Sequence, residues 1–304
     1  MKKLGLIVFV FFIANWTFAQ QIADTNYHPN IPDPVYEIGK GPIVFIDEGH
    51  YNFHTKEGRY QSFANLLEKD GYVVTEYKGE FNEDELLKGK ILVISNAINE
   101  INEQNWYVPT PSAFTKTEIE VVKKWVNDGG SLFLIADHMP FGGAATDLAA
   151  TFGFKFSNGF VMDTLSPGPA FFNLKEGTLF ESIITNGRNH EERVEQIATF
   201  TGQGFKIPTD AIPVLIFGEK YVNIIPDTAW VFEAKSPRIN AKGLAQGAYK
   251  KYGKGKVVAF GEAAMFSAQL AGPQKIRVGM NGDMAPENFQ LLLNIIHWLE
   301  GKLD

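Results

Sequence analysis

Two acids and two imidazoles fall within eight residues in Asp47-Glu48-Gly49-His50-Tyr51-Asn52-Phe53-His54. The spacing of His50 and His54 would set two ligands on one face of a helical turn, able to hold a metal ion or exchange protons. No Glu lies between them as in a zinc-protease motif, so a hydrogen-bonded loop accounts for the pair equally well. A second cluster is Asp137-His138-Met139-Pro140-Phe141-Gly142-Gly143, ahead of a helix expected over Ala144 to Thr151. A strand, a tight turn and a helix start expose backbone N–H groups, which makes Gly142 and Gly143 candidates for holding an anionic substrate. His138 then stands as base, acid or metal ligand, unless Asp137 only caps the turn and orients it. The third candidate is Glu262, in Gly261-Glu262-Ala263-Ala264, which either works in the site or caps the turn that follows. A carboxylate ending an apolar run needs one of those explanations, because burying it unpaired is costly.

Further candidates are weaker. Arg59 could grip a substrate carboxylate with two parallel hydrogen bonds, and Glu48, beside Asp47, is another substrate contact. Tyr51 and Tyr60 could donate protons or stack on a sugar ring. Asp163 lies in an irregular segment and could reach the site, His297 reads as structural, and His28 and His190 read as surface positions.

These residues must be held by strands that end beside them. Apolar runs at Ile43 to Ile46, Tyr72 to Tyr77, Ile91 to Ser95 and Ser131 to Ala136 alternate with helical patterns, which predicts an α/β fold with a mainly parallel sheet and helices on both faces. Arg59 to Lys69 reads as one helix. A second is marked by Thr115 and Thr117, each three residues ahead of an acid, and closed by Gly129-Gly130. Strands are expected again at Val214 to Phe217, Ala229 to Ala234 and Lys256 to Gly261, and a last helix from Pro286 to Leu299. In an open parallel sheet, ligands gather outside the carboxyl ends of the strands, where all three clusters fall.

The domain organisation expected is a signal peptide over 1–19, an extended Pro-rich lead-in over 20–39 and one α/β domain over 40–304. About residues 154–212 form an irregular insertion of the kind that often walls a site. The leader reading rests on Lys2 and Lys3 before a short apolar run that ends at Thr17-Phe18-Ala19, and it implies a periplasmic or secreted protein. No cysteine is present, so the core alone must hold the fold. Removing Lys2 and Lys3 takes the formal net charge from −7 to −9, which disfavours nucleic acid and long polyanions but admits a small anion. Neither a membrane partner nor a nucleotide cofactor is expected. A divalent metal ion and a homo-oligomer are both compatible with the sequence.

With its Asp-Glu-Gly-His start and Ala-Asp-His turn, the chain resembles the class I glutamine amidotransferase-like superfamily, within it an exported Bacteroidota branch. The likeness spans about residues 40–155 and 255–300 and implies a three-layer, flavodoxin-like sandwich. Where the amidotransferases carry a catalytic Cys, this chain has Asp137-His138, which excludes glutaminase chemistry. A further resemblance, to secreted dehydratases of ulvan- and alginate-degrading loci, implies loss of water from small unsaturated uronic-acid oligosaccharides. On that reading His50, His138, Glu262 and Tyr51 carry the chemistry, Arg59, Glu48, Gly142 and Gly143 bind the substrate, and His50, His54 and His138 hold any metal. The alternatives are a metal-assisted hydrolase and a non-catalytic glycan-binding module.

Overall fold

The computed structural model describes residues 21–303, so the expected leader over 1–19 lies outside the described residues. A seven-stranded sheet runs through the centre in the order Val73–Tyr77, Ile43–Asp47, Ile91–Ser95, Ser131–Ile135, Gly255–Phe260, Ala245–Tyr252, Ile212–Ile216. The first five are parallel; the last two are antiparallel to their neighbours. The sheet is therefore mixed, because Ala245–Tyr252 returns directly into Gly255–Phe260 as a hairpin with no helical crossover.

Alternate residues of each central strand feed two cores. Val44, Ile46, Val93 and Phe133 join Phe63, Leu66 and Leu67 of the helix Gln61–Lys69 and the apolar side of Asn288–Glu300. Phe45, Leu92, Ile94 and Leu132 join Ile119, Val122 and Val126 of the helix Lys116–Asp128. These strands are covered on both faces, as their unbroken apolar sequences require. The capping box expected at Thr115 forms with Glu118, whereas Thr117 and Glu120 lie inside the helix.

Two expectations change. Ala229 to Ala234 forms no strand: Ala229 N–H donates to Trp106 O at 2.8 Å and Trp230 takes φ 66, which turns the chain aside despite its apolar composition. The 154–212 segment is more ordered than its Pro and Gly content suggests, since Phe160–Asp163 pairs with Tyr221–Ile224 and Ala170–Asn173 with Gln196–Thr199, both antiparallel. The lead-in is docked on the domain. Gln21–Ala23 forms an edge strand on Ala268–Ala271, which pairs in turn with Ile276–Gly279, and Tyr36 packs edge-on against Tyr72 at 5.5 Å while its hydroxyl donates to Glu300 at 2.6 Å. Among the described residues no helix is long and apolar enough to cross a membrane.

Candidate active site

His50 and His54 part company as soon as the chain leaves Ile43–Asp47. Tyr51 takes φ 48 and the segment runs as a loop, so the two rings never share a helical face. His50 turns into the protein, with Nδ1 at 2.9 and 3.0 Å from the Asp47 carboxylate and Nε2 at 2.8 Å from Glu118 Oε1. Glu118 also accepts the N–H groups of Thr115 and Phe81, so the imidazole ties a capped helix to a strand end. Burial alone would push the His50 pKa down, but Asp47 and Glu118 outweigh it and raise it above its ordinary 6.5. With both nitrogens bonded to Asp47 and Glu118, His50 ties the frame together, and neither ring nitrogen faces the pocket beyond the strand ends.

The sign of the pH effect follows. Stabilisation from the His50 cluster is fully present below about 6.5 and is lost as pH rises through the raised folded-state pKa. We expect His50→Gln, which strands two buried carboxylates, to cost about 3–5 kcal/mol near pH 6 and less near pH 9. Urea unfolding at the two pH values reads the difference, and an equal loss at both would refute a charged His50.

A pocket of about 370 Å³ lies outside the carboxyl ends of the parallel strands, as the sheet geometry predicts. Asn96 follows Ile91–Ser95, Asp137 and His138 follow Ser131–Ile135, Glu262 follows Gly255–Phe260, and His54 and Arg59 come from the loop after Ile43–Asp47. Phe53, Trp106 and Trp230 form the aromatic walls.

His138 has its orientation fixed. Nδ1 lies 2.7 Å from Met139 O, and since a carbonyl only accepts, the neutral ring carries its proton there and its lone pair on Nε2. The ring stacks on Phe160 at 4.3 Å and meets the edge of Trp230 at 4.7 Å. Asp137 is held in turn: its N–H donates to Asn96 Oδ1 at 2.9 Å, and its Oδ1 accepts the His138 N–H at 2.7 Å.

Glu262, 1% exposed, accepts the N–H groups of Ala264 at 3.0 Å and Met265 at 2.8 Å. Burial first, and then the charge of Asp137, raise its pKa well above the usual carboxylate range in spite of those donors. The capping reading of Glu262 holds, since its carboxylate receives the first N–H groups of the turn Ala264–Phe266, and the same side chain lines the pocket with a pKa raised by burial.

Burial and then the Arg59 charge push His54 down to about 3, so it is a neutral ring, packed 4.6 Å from Tyr60. Arg59 lies over the Phe53 ring at 3.9 Å, its Nε is buried without a hydrogen-bond partner, and burial lowers its pKa. No carboxylate pairs with Arg59 among the described residues. The pocket thus brings together a guanidinium without a carboxylate partner, an imidazole of fixed orientation and a carboxyl whose pKa burial raises.

Several expected contacts fall elsewhere. Tyr51 is exposed and outside the pocket, and Glu48 Oε1 accepts the Lys56 N–H at 2.7 Å and so pins its own loop. The N–H groups of Gly142 and Gly143 turn inward to His138 O and Asn158 Oδ1, and a Cβ on Gly143 would meet Thr110 Oγ1 at 2.0 Å. Here the glycines serve close packing. Asp163 caps Leu165 and Ser166 away from the pocket, and His297 is buried with Nε2 2.6 Å from Asp70. His50, His54 and His138 do not converge, and among the described residues no group of three or more His, Cys, Asp or Glu is placed to hold a metal ion.

Sequence reasoning missed Gln203. Its Oε1 accepts the N–H groups of Ser157 and Asn158 at 2.8 and 2.9 Å, while Nε2 donates to Ala136 O and Asp137 O at 2.8 and 3.1 Å. It thereby fixes the turn carrying His138. The only local signal is Gly202-Gln203-Gly204, where Gly202 takes φ 92 and a Cβ would strike Gly261 O at 2.2 Å.

No protein-family model matches the chain, and no curated protein matches it. Among solved structures it is similar to the mmIFT52 N-terminal domain, with TM-score 0.61 and 15% identity over 84% of this chain and 97% of that one. It is also similar to a ThuA-like protein from Bacteroides uniformis, with TM-score 0.48 and 14% identity over 89% of this chain and 96% of that one. A protein of Thermoplasma acidophilum described as a GMP synthase component gives TM-score 0.44 and 12% identity over 86% of this chain and 96% of that one. Such identities concern the fold alone, and the first likeness carries it: a mixed α/β fold built on a mostly parallel central sheet.

Proposed function

We propose that the pocket is the active site of an exported acid–base enzyme that removes water from small unsaturated uronic-acid saccharides, on a class I glutamine amidotransferase-like, three-layer scaffold. The observation that carries this reading is the unpaired Arg59 facing a pocket that also holds His138 and Glu262. A uronate carboxylate supplies the missing counter-ion, and desolvation strengthens the pair. The lone pair on Nε2 of His138 suits it to take a proton from a carbon activated by that carboxylate, and Glu262 in its protonated form suits the departing hydroxyl. Trp106 and Trp230 offer the stacking surfaces that sugar rings use.

Mass spectrometry of the mature chain incubated with unsaturated uronate oligosaccharides tests the reaction. Loss of one water is the expected result; a gain of one water with chain cleavage would instead identify a hydrolase, and no change in mass a binding module. Arg59→Ala is expected to weaken substrate binding about 10- to 100-fold, the value of a charge-assisted pair in a desolvated site. Calorimetry checks this, and unaltered affinity would remove Arg59 from the carboxylate.

A further inference from the structure

The pocket that holds His138 and Arg59 does not end at Trp230. Beyond it lies a second cavity of about 380 Å³, and five residues line both: Gln21, Phe200, Thr201, Trp230 and Val278. The two differ sharply in character. His54, Arg59, Asp137, His138 and Glu262 all stand in the first, whereas the annex is walled by Met162, Pro167, Pro169, Ala170 and Tyr221 and, among the described residues, carries no acid, no amine and no imidazole. The annex walls come largely from the 154–212 segment, which gives that insertion a task.

Trp230 stands at the division. Its backbone sits at φ 66, a conformation that a bulky side chain adopts at a cost and keeps only when its surroundings impose it. Those surroundings are present: Ala229 N–H is bonded to Trp106 O, and the indole meets Phe160 at 4.8 Å and His138 at 4.7 Å. Trp230 is 43% exposed although its ring is pinned so firmly, and it lines both cavities.

We infer that this site takes a bipartite substrate, in which a carboxylate-bearing sugar sits against Arg59 and His138 while an uncharged sugar, linked to it, lays its apolar face in the annex past Trp230. The inference rests on the uronate reading above and adds the chemistry of the second unit. A charged second ring would lose hydration against the annex walls, and the cation over Tyr221, Lys220, already faces Asp163 at 3.7 Å. A neutral ring keeps its hydroxyls toward solvent and covers Met162, Pro169 and Trp230.

Calorimetric titration of the full chain with three probes separates the possibilities: a free unsaturated uronate, that uronate linked to a neutral hexose, and the same unit linked to a second uronate. The neutral-linked disaccharide is expected to bind on the order of tenfold more tightly than the free unit, and the diuronate no more tightly than the free unit. In Ala170→Trp, which fills the annex, the neutral-linked advantage is expected to fall toward one, and in Ala170→Ser to persist. Equal affinity for all three probes, or a preference for the diuronate, overturns the annex assignment and leaves the uronate reading standing. Failure of every probe to bind overturns both.

Discussion

His138→Asn is expected to lower turnover by about 10²- to 10⁴-fold, the usual contribution of a positioned general base. Asparagine isolates the chemistry better than alanine. Its side-chain amide can still donate to Met139 O, now 2.7 Å from Nδ1, whereas alanine would also vacate the space between Phe160 and Trp230. Because His138 is only 7% exposed, His138→Ala mixes a packing loss with a chemical one, and a lower melting temperature in that variant would not count against a catalytic role. The pair of variants resolves the matter. His138→Asn should melt near the wild type and be nearly inactive; full activity in a folded His138→Asn would remove the imidazole from the reaction.

Gln203→Leu is expected to carry the largest stability loss of any substitution near the pocket. The side chain is fully buried and satisfies two backbone N–H groups and two backbone carbonyls, on Ser157, Asn158, Ala136 and Asp137. Leucine fills a similar volume but leaves those four groups without partners. Each buried unpaired group costs about 1–3 kcal/mol, and some relaxation of the chain reduces the total, so we expect a net loss of about 3–5 kcal/mol. Little relaxation is available at Gly142, where a Cβ would lie 2.3 Å from Gln203 Nε2. Urea denaturation measures the loss, and the residual folded fraction should be poorly active because the Asp137-His138 turn loses its anchor. A stability within about 1 kcal/mol of the wild type would mean that water or a shifted loop replaces the amide.

How much of this was legible in the sequence depends on the distance over which each feature is determined. Strand cores such as Ile91–Ser95 and Ser131–Ile135 were readable because burial on both faces demands an unbroken apolar run. The Thr115 cap was readable because its partner, Glu118, is three residues away. A pocket beyond the strand ends followed from parallel-sheet geometry, and Asp137, His138, Glu262, His54 and Arg59 do line one there. The false strand at Ala229 to Ala234 arose because its apolar residues serve other packing: Trp230 lines the pocket and Phe232 meets Phe160 at 5.2 Å, and composition cannot distinguish that from a sheet core.

The sequence by itself determined the mostly parallel α/β scaffold, the gathering of polar side chains at its strand ends and the absence of any cysteine nucleophile, since each depends on local pattern or on composition. Only the tertiary structure decided between two histidines four residues apart. His50 is claimed by Glu118, 68 residues away, and becomes part of the frame; His54 and Arg59 are left facing the pocket. It also decided that Gln203 holds the His138 turn through carbonyls 66 and 67 residues away and that an annex without charged groups adjoins the charged pocket. The physical reason is that hydrogen-bond satisfaction and desolvation act through space. A side chain's role is fixed by which partners fold against it, and such partners leave no mark in the neighbouring sequence.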